Sequence, residues 1–427
     1  MCHCNNCSFL INKFYTFDEM KTRPQKIHVA LPVMDEVEFL PLCIDCIESQ
    51  SYNDYHVVIC VNQPDEWWEI SAKKEVCERN KKTIEFLSEK NKGNYTIIDK
   101  SSKGQGWQGN KKGVGWARKT AMDHIAKNAN DTDIILSLDA DTIFSKEYFK
   151  SIIDCFIESP TAVALSNPYY HKLTGHDAED KAILRYEIYM RNYAINMLLI
   201  QSPYAFTALG SAIALPVGSH KAIGGMTPKL SGEDFYFLQK LRKYGNIRVC
   251  NEEKVHPAAR FSDRVFFGTG PAMIKGNKGD WESYPIYHHG LFNDIKKSYD
   301  GFSTLFKEEV PVPLDNFMKS QFRSDNIWQA LRENNKDAAH FVRACHEKLD
   351  GLRILQYLKS EQTKQCLNDE QCLADNIIQM FSGIYQFNNA QLLKSLTFKE
   401  CPVSSMDEIR NYLVKVEEIL QQKIILV

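Results

Sequence analysis

The chain has 427 residues, of which 44% are hydrophobic and 25% charged, and a net charge of −2. That is room for one large or two medium globular domains, and the near-neutral balance leaves no electrostatic footprint for nucleic acid. The longest apolar candidate, Ala194 to Leu215, is broken by Asn196, Gln201, Ser202, Pro203 and Gly210, which excludes a membrane channel but leaves peripheral contact with a membrane open.

Residues 1–26 read as an amino-terminal lead-in. Ile27 to Pro32 is a first strand, and Phe39, Leu42, Cys43, Cys46 and Ile47 give the 3.6-residue period of a helix. Tyr55 to Val61 is a second strand, a charged helix covers roughly Trp67 to Asn91, and Tyr95 to Asp99 is a third strand. A glycine-rich basic loop, Ser101 to Gly113, leads into a helix through Asn128. The fourth strand is the apolar run Ile134, Ile135, Leu136 and Leu138. Strands alternating with helices in this way predict a mostly parallel, doubly wound α/β sheet. A helix over Ser145 to Glu158, a strand over Ala162 to Asn167, a long helix over Asp177 to Ile200 and a small-residue strand over Ala208 to Leu215 follow. Gly232 precedes a helix closed by Gly245. Beyond about residue 290 the texture is helical, with Asn326 to Arg332, Ala338 to Lys359 and Met406 to Gln422 as the clearest segments.

Thirteen cysteines show no regular framework, and Cys60 sits inside an apolar strand, which suits reduced thiols in a cytoplasmic protein. Cys2, His3, Cys4 and Cys7 lack the second half of a tetrahedral zinc site. Cys43 and Cys46 lie one helical turn apart, a packing arrangement.

Chemistry concentrates at the end of the fourth strand, in Asp139-Ala140-Asp141. Side chains at i and i+2 of a strand share one side, and two such carboxylates repel unless a cation lies between them. The pair therefore predicts a site for Mg2+ or Mn2+ at the carboxyl edge of the sheet. In isolation, an Asp-x-Asp is more often the cap of the next helix. Gly104-Gln105-Gly106-Trp107-Gln108-Gly109 matches a dinucleotide fingerprint in letters only, since it follows the third strand rather than the first. With Lys103, Lys111, Lys112, Arg118 and Lys119, this loop suits a diphosphate, and equally a plain solvated loop. In Gly232-Glu233-Asp234, the second acid opens a helix, where it is either an N-cap or a rigidly placed general base. Glu233 beside it raises its pKa by like-charge repulsion. His256, Arg260 and Arg264 follow a further strand as a candidate metal ligand and two candidate phosphate clamps.

Five segments in this order resemble the family 2 glycosyltransferases, the inverting group with the GT-A fold. Ala30-Leu31-Pro32-Val33-Met34-Asp35-Glu36 is similar to the family's opening I-P-x-Y-N-E, and Leu42 to Gln50 to the helix after it. Lys112-Gly113-Val114-Gly115-Trp116-Ala117-Arg118-Lys119 is similar to G-x-x-x-A-R-N, and Leu138-Asp139-Ala140-Asp141 to the D-x-D. Gly224-Gly225-Met226 and Gly232-Glu233-Asp234 resemble the G-G-F and G-E-D pair of the acceptor half. The likeness runs from about Ile27 to Met273. It implies a GT-A domain over 27–290, with a nucleotide-binding half and an acceptor half, and a mostly helical extension over 291–427. It also implies a metal-dependent transfer of a sugar from a nucleotide-diphosphate donor to a hydroxyl of a glycan or lipid-linked acceptor, as in polysaccharide biosynthesis, in the cytoplasm or at the inner face of the membrane. Asp234 is then the catalytic base, and Asp139, Asp141 and His256 are the metal ligands. Pro32, Asp35, Glu36, Asn62, Lys112, Arg118, Asp139 and Arg260 are the donor-binding set. Two departures touch the nucleotide pocket. Cys60-Val61-Asn62-Gln63-Pro64 replaces the usual V-D-D-G-S, and Met34-Asp35 replaces Tyr-Asn. A sugar-phosphate nucleotidyltransferase is the alternative enzyme, but Leu31 to Leu40 lacks the Gly and Arg its loop requires. A non-catalytic glycan- or partner-binding protein is the other alternative.

Overall fold

In the computed structural model of the chain, residues 25–91, 93–263 and 268–425 are described. The Cys2, Cys4 and Cys7 cluster and Arg264 lie outside them. Seven strands form one sheet: β1 (Ile27–Val33), β2 (Tyr55–Asn62), β3 (Tyr95–Lys100), β4 (Ile134–Ser137), β6 (Ala162–Ser166), β7 (Ile213–Pro216) and β8 (Asn246–Arg248). Their order is β3-β2-β1-β4-β7-β6-β8, parallel except for β7, which is antiparallel to both β4 and β6. A two-stranded antiparallel ribbon, β5 (Thr142–Ile143) with β9 (His256–Pro257), leaves the end of β4. The mostly parallel α/β sheet predicted from the strand–helix alternation is therefore present, with one reversed strand.

Strand alternation explains why both faces are covered. Ile27, Val29, Leu31 and Val33 of β1, with Val57, Ile59 and Val61 of β2, face α1 (Leu40–Glu48) and α4 (Tyr148–Glu158) in one core. Ala30, Val58, Cys60 and Ile135 face the other way, into a core completed by α3 (Val114–Asn128) and α7 (Glu233–Tyr244). The remaining helices of this half are α2 (Lys74–Lys90), α5 (Asp177–Leu199), α6 (Val217–Ala222) and α8 (Thr269–Asn277). The chain builds outward from β1 to β3 and then returns to β4 on the other side of β1. The carboxyl ends of β1 and β4 thus flank the crevice where this topology reverses.

Several boundaries differ from the sequence-based expectation. The charged helix begins at Lys74 rather than near Trp67, because Trp68 donates its indole N–H to the Ser101 carbonyl at 2.9 Å and short 3-10 turns occupy Asp65–Glu69 and Ser71–Lys73. The Ala208 strand starts only at Ile213, after a 3-10 turn over Gly210–Ala212. The segment Ala338 to Lys359 is two helices, since the Asp350 side chain accepts from the Arg353 N–H at 3.2 Å and caps a new start.

The carboxyl-terminal region is helical, from His289–Leu305 to Val403–Ile425, and no described helix is long and apolar enough to cross a membrane. Helix α5 is what it packs on. Tyr186 and Met190 belong to the sheet core, Met197 to the core of the helices from His289 to Leu358, and Leu184, Ile188 and Ile195 to the core around Val403–Ile425. A buried ion network locks that last contact. Glu187 meets His171 at 3.0 Å, Arg191 at 2.6 Å and Arg410 at 3.3 Å, and Arg191 reaches Glu417 at 2.6 Å. Burial alone would raise the Glu187 carboxyl, but Arg191, the hydrogen bond to His171 and Arg410 hold it far below its ordinary range.

Candidate active site

Strand β4 stops at Ser137, and the chain turns at once, with the Thr142 N–H donating to the Asp139 carbonyl at 3.1 Å. Asp139 and Asp141 therefore sit in a turn rather than in a strand, and they take different partners. This corrects the same-side geometry expected of positions i and i+2.

Asp139 belongs to Arg118. The Arg118 guanidinium, 2% exposed, donates to Asp139 Oδ1 at 2.7 Å, Glu233 Oε1 at 3.3 Å, Ser137 Oγ at 2.5 Å and the Gly210 carbonyl at 2.9 Å. Gly210 leaves room for this, because a Cβ would lie 2.5 Å from Arg118 Nη2 and displace the guanidinium. Burial opposes a charged guanidinium, yet Asp139 and Glu233 keep it fully protonated. Instead of clamping a phosphate, Arg118 ties the start of α7 to the tip of β4. One sequence signal points this way: Arg118 shares the 3–4 spacing of Ala121, Met122 and Ile125, so it lies on the buried stripe of α3. The other partners in the bridge, Glu233, Ser137 and Gly210, carry no such signal.

That bridge brings the second acidic site beside the first. Gly232, at φ +71°, makes the left-handed turn into α7, and Asp234 Oδ1 accepts the Phe235 N–H at 2.8 Å. The Asp234 carboxyl is pushed up to about 7, first by burial and then by Glu233, with Arg118 pulling it back and Asp139 adding to the rise. A carboxyl that titrates near neutrality is suited to taking a proton.

Asp141 belongs to a different cation. Arg260 Nη2 lies 2.7 Å from each Glu36 carboxylate oxygen and 2.8 Å from Asp141 Oδ2, and its guanidinium covers the Phe39 ring at 4.1 Å. Glu36, just past the end of β1, and Asp141, just past the end of β4, so meet in the crevice between those strands. Behind them, the Ala258 N–H donates to the Asp141 carbonyl at 3.1 Å, which fixes the β9 strand alongside.

The other expected donor-site residues are placed less openly. Asn62 is 1% exposed, its amide N–H donating to the Val33 carbonyl at 2.9 Å and its oxygen accepting from the Trp107 indole at 3.1 Å. Its hydrogen bonds are directed inside the protein, not toward a base edge. Asp35, at φ +60°, grips Arg79 of α2 through two hydrogen bonds, at 2.5 and 2.9 Å. Pro32 is buried in β1 opposite Cys60. In the glycine-rich loop, the Gly104 and Gly106 N–H groups donate to Asp65 at 2.7 and 3.3 Å, and Lys103 pairs with Glu69 at 2.9 Å. Lys119 pairs with Asp123 at 2.7 Å. The Gly104 and Gly106 amides are therefore turned to Asp65. Lys112 is half-buried, two residues before α3.

The expected metal set is not assembled as a triad: among the described residues, no three His, Cys, Asp or Glu side chains gather closely enough to hold an ion. The Nδ1–H of His256 donates to the Tyr170 carbonyl at 2.8 Å, burial lowers its pKa, and it lines a groove with Leu42, Cys46, Ser49, Ile143 and Lys172 on the α1 side of the ribbon. Asp139, engaged by Arg118, and Asp141 and Glu36, engaged by Arg260, carry hard oxygen atoms of the kind that suits Mg2+ or Mn2+. Such ions characteristically take one or two carboxylates and complete their octahedron with phosphate oxygens and water. Glu36 and Asp141, which meet on one cation here, would fit such an ion as a pair rather than as a triad.

No family model and no curated protein matches the chain. Among solved structures it is similar to S. aureus TarS 1–349 in complex with UDP-GlcNAc, with 13% identity over 80% of this chain and 92% of that one and a TM-score of 0.40. It is also similar to the Pyrobaculum calidifontis mannosyltransferase PcManGT in complex with GDP-Man and Mn2+, with 13% identity over 82% and 93% of the two chains and a TM-score of 0.34. A third similarity is to GalNAc-T7 with UDP, GalNAc and Mn2+, with 14% identity over 70% of this chain and 54% of that one and a TM-score of 0.36. Likeness this distant assigns no reaction to the chain.

Proposed function

We propose that the chain is a metal-dependent, inverting glycosyltransferase of the GT-A, family 2 type. It would move a sugar from a nucleotide-diphosphate donor to a hydroxyl of a glycan or lipid-linked acceptor. The observation that carries this reading is the Arg118 bridge. It sets a carboxyl poised near pH 7, Asp234, beside the acidic turn after β4, at the crevice where a doubly wound sheet receives its ligand.

Asp234 takes the proton of the acceptor hydroxyl as its oxygen attacks the anomeric carbon, a contribution of roughly 10²- to 10⁴-fold. One displacement with one base on the acceptor side inverts the anomeric centre. Asp141 with Asp139 would hold Mg2+ or Mn2+, which would supply charge stabilisation for a diphosphate leaving group. Arg260 and Lys112 bind the phosphate oxygens, as a planar fork and a point charge respectively. Arg118 and Glu233 touch neither substrate; they hold Asp139 and Asp234 in register. Residues 27–290 would carry this site and 291–427 would form the helical extension.

The test is a screen of UDP-, GDP- and dTDP-sugars for nucleotide release with and without Mn2+. Release that requires Mn2+ and disappears in Asp234→Asn supports the reading. Thermal stabilisation by no nucleotide in the panel would remove it in favour of a non-catalytic binding protein.

A further inference from the structure

Outside the groups placed in the crevice, one pair of cysteines differs from the rest. Cys155 lies on α4, and Cys250 on the segment that runs from β8 to β9. The Cys250 sulfur sits 3.5 Å from the carbonyl of Ser151, one helical turn before Cys155, and the two thiols are hydrogen-bonded to each other. Both belong to the core around β1 and α4. Cys250 is 6% exposed and Cys155 half-buried, so the pair lies just under the surface.

A thiol in apolar surroundings ordinarily becomes harder to ionise, and burial pushes Cys60 and Cys345 up to about 12 and Cys372 up to about 11. Cys250 moves the other way. The Cys155 S–H directed at its sulfur holds it below its ordinary range, with burial opposing the shift and the Glu252 N–H adding to it. Cys155 is held above its own range by the same contact. One sulfur thus has thiolate character while its neighbour keeps the proton.

We infer that Cys155 and Cys250 form a dithiol modification site that a hydroperoxide closes into a disulfide, joining α4 to the segment that leads into β9. The Cys250 thiolate attacks one peroxide oxygen. The O–O bond breaks, hydroxide leaves and takes up a proton as water, and Cys250 becomes a sulfenic acid. The Cys155 sulfur then attacks the Cys250 sulfur, the S–O bond breaks, and the Cys155 proton leaves with the hydroxide as a second water. The two cysteines lose two electrons, and the peroxide gains them. Because the resolving thiol is already in contact, the sulfenic acid is consumed before further peroxide can carry it to the irreversible sulfinic acid. Cys43 and Cys46 do not offer this chemistry, since burial, then Cys46 and the nearby carboxylates of Asp141 and Asp139, hold the Cys43 thiol well above its range. None of this depends on the reaction at the crevice.

The test treats the folded full chain with hydrogen peroxide, blocks the remaining thiols with iodoacetamide and maps tryptic peptides without reduction. The expected product is the peptide Ser151–Lys172 joined to Val249–Lys254, two hydrogen atoms lighter than their sum and separated again by dithiothreitol. In Cys155→Ser no resolving thiol remains, and dimedone captures Cys250 as its sulfenic acid. In Cys250→Ser, Cys155 stays reduced. Either variant serves if the other does not fold. Oxidation of the exposed Cys366 with no cross-linked peptide would overturn the inference, and so would a cross-link that forms only in urea.

Discussion

Asp139 and Glu233, on different elements of the fold, share the guanidinium of Arg118 at 2.7 and 3.3 Å. The position of Asp234 relative to the β4 turn is set by that buried bridge rather than by a direct contact between the two acidic motifs.

Removing the bridge has a structural cost. Arg118→Met leaves Glu233 buried without its cation and Asp139 without its positioning donor. Loss of one partner from a buried ion pair costs about 3–5 kcal/mol. Urea denaturation of the variant should show a loss of that order. Arg118→Lys recovers part of it, since one ammonium cannot reach four acceptors. A change under 1 kcal/mol in Arg118→Met, a bound set by typical surface pairs, would mean the bridge is not formed.

The pH dependence follows from Asp234. With its carboxyl pushed up to about 7, kcat/KM for transfer should fall tenfold per unit as pH drops below that value. Glu233→Gln removes a like charge, so the acidic limb moves to lower pH. An unmoved limb would exclude Asp234 as the titrating base.

The same group also affects stability. Its folded pKa lies above its unfolded one, so the native state binds the proton more tightly, and that stabilisation is lost as pH rises toward and through about 7. Asp234→Asn should therefore raise Tm relative to wild type more at pH 8.5 than at pH 5. Equal shifts at the two pH values would show an ordinary, unburied carboxylate.

Asp141→Asn should remove the Mn2+ dependence of donor binding, because one of the oxygens available to the ion is lost. Asp234→Asn should leave that dependence intact. Thermal shifts with nucleotide, with and without Mn2+ and after chelation with EDTA, separate the two variants.

Far from the crevice, Glu187→Ala leaves Arg191 and Arg410 with fewer buried counter-charges. Here too the expected loss is about 3–5 kcal/mol, with transfer activity lost only as far as the protein unfolds. Loss of activity in fully folded Glu187→Ala would mean that the α5 network reaches the crevice.

Apolar periodicity alone was enough to read the succession of strands and helices, because burying a strand face or a helix stripe requires side chains at fixed spacings. It also drew attention to Asp139, Asp141 and Asp234, since carboxylates at strand ends and helix starts stand out against apolar neighbours, whereas Glu36 was pointed to only by the family resemblance. Pairing was decided only by the tertiary structure. Periodicity is silent on strand direction, so β7 runs antiparallel without any local sign of it. A charged side chain's partner is chosen by whatever folds against it, so Arg118 went to two carboxylates and a carbonyl, and the Nδ1–H of His256 to the Tyr170 carbonyl. Asn62 turned inward because Val33 and Trp107 arrive from two other segments. A single chain specifies which groups must find partners, and the long-range packing of its elements determines which partners they find.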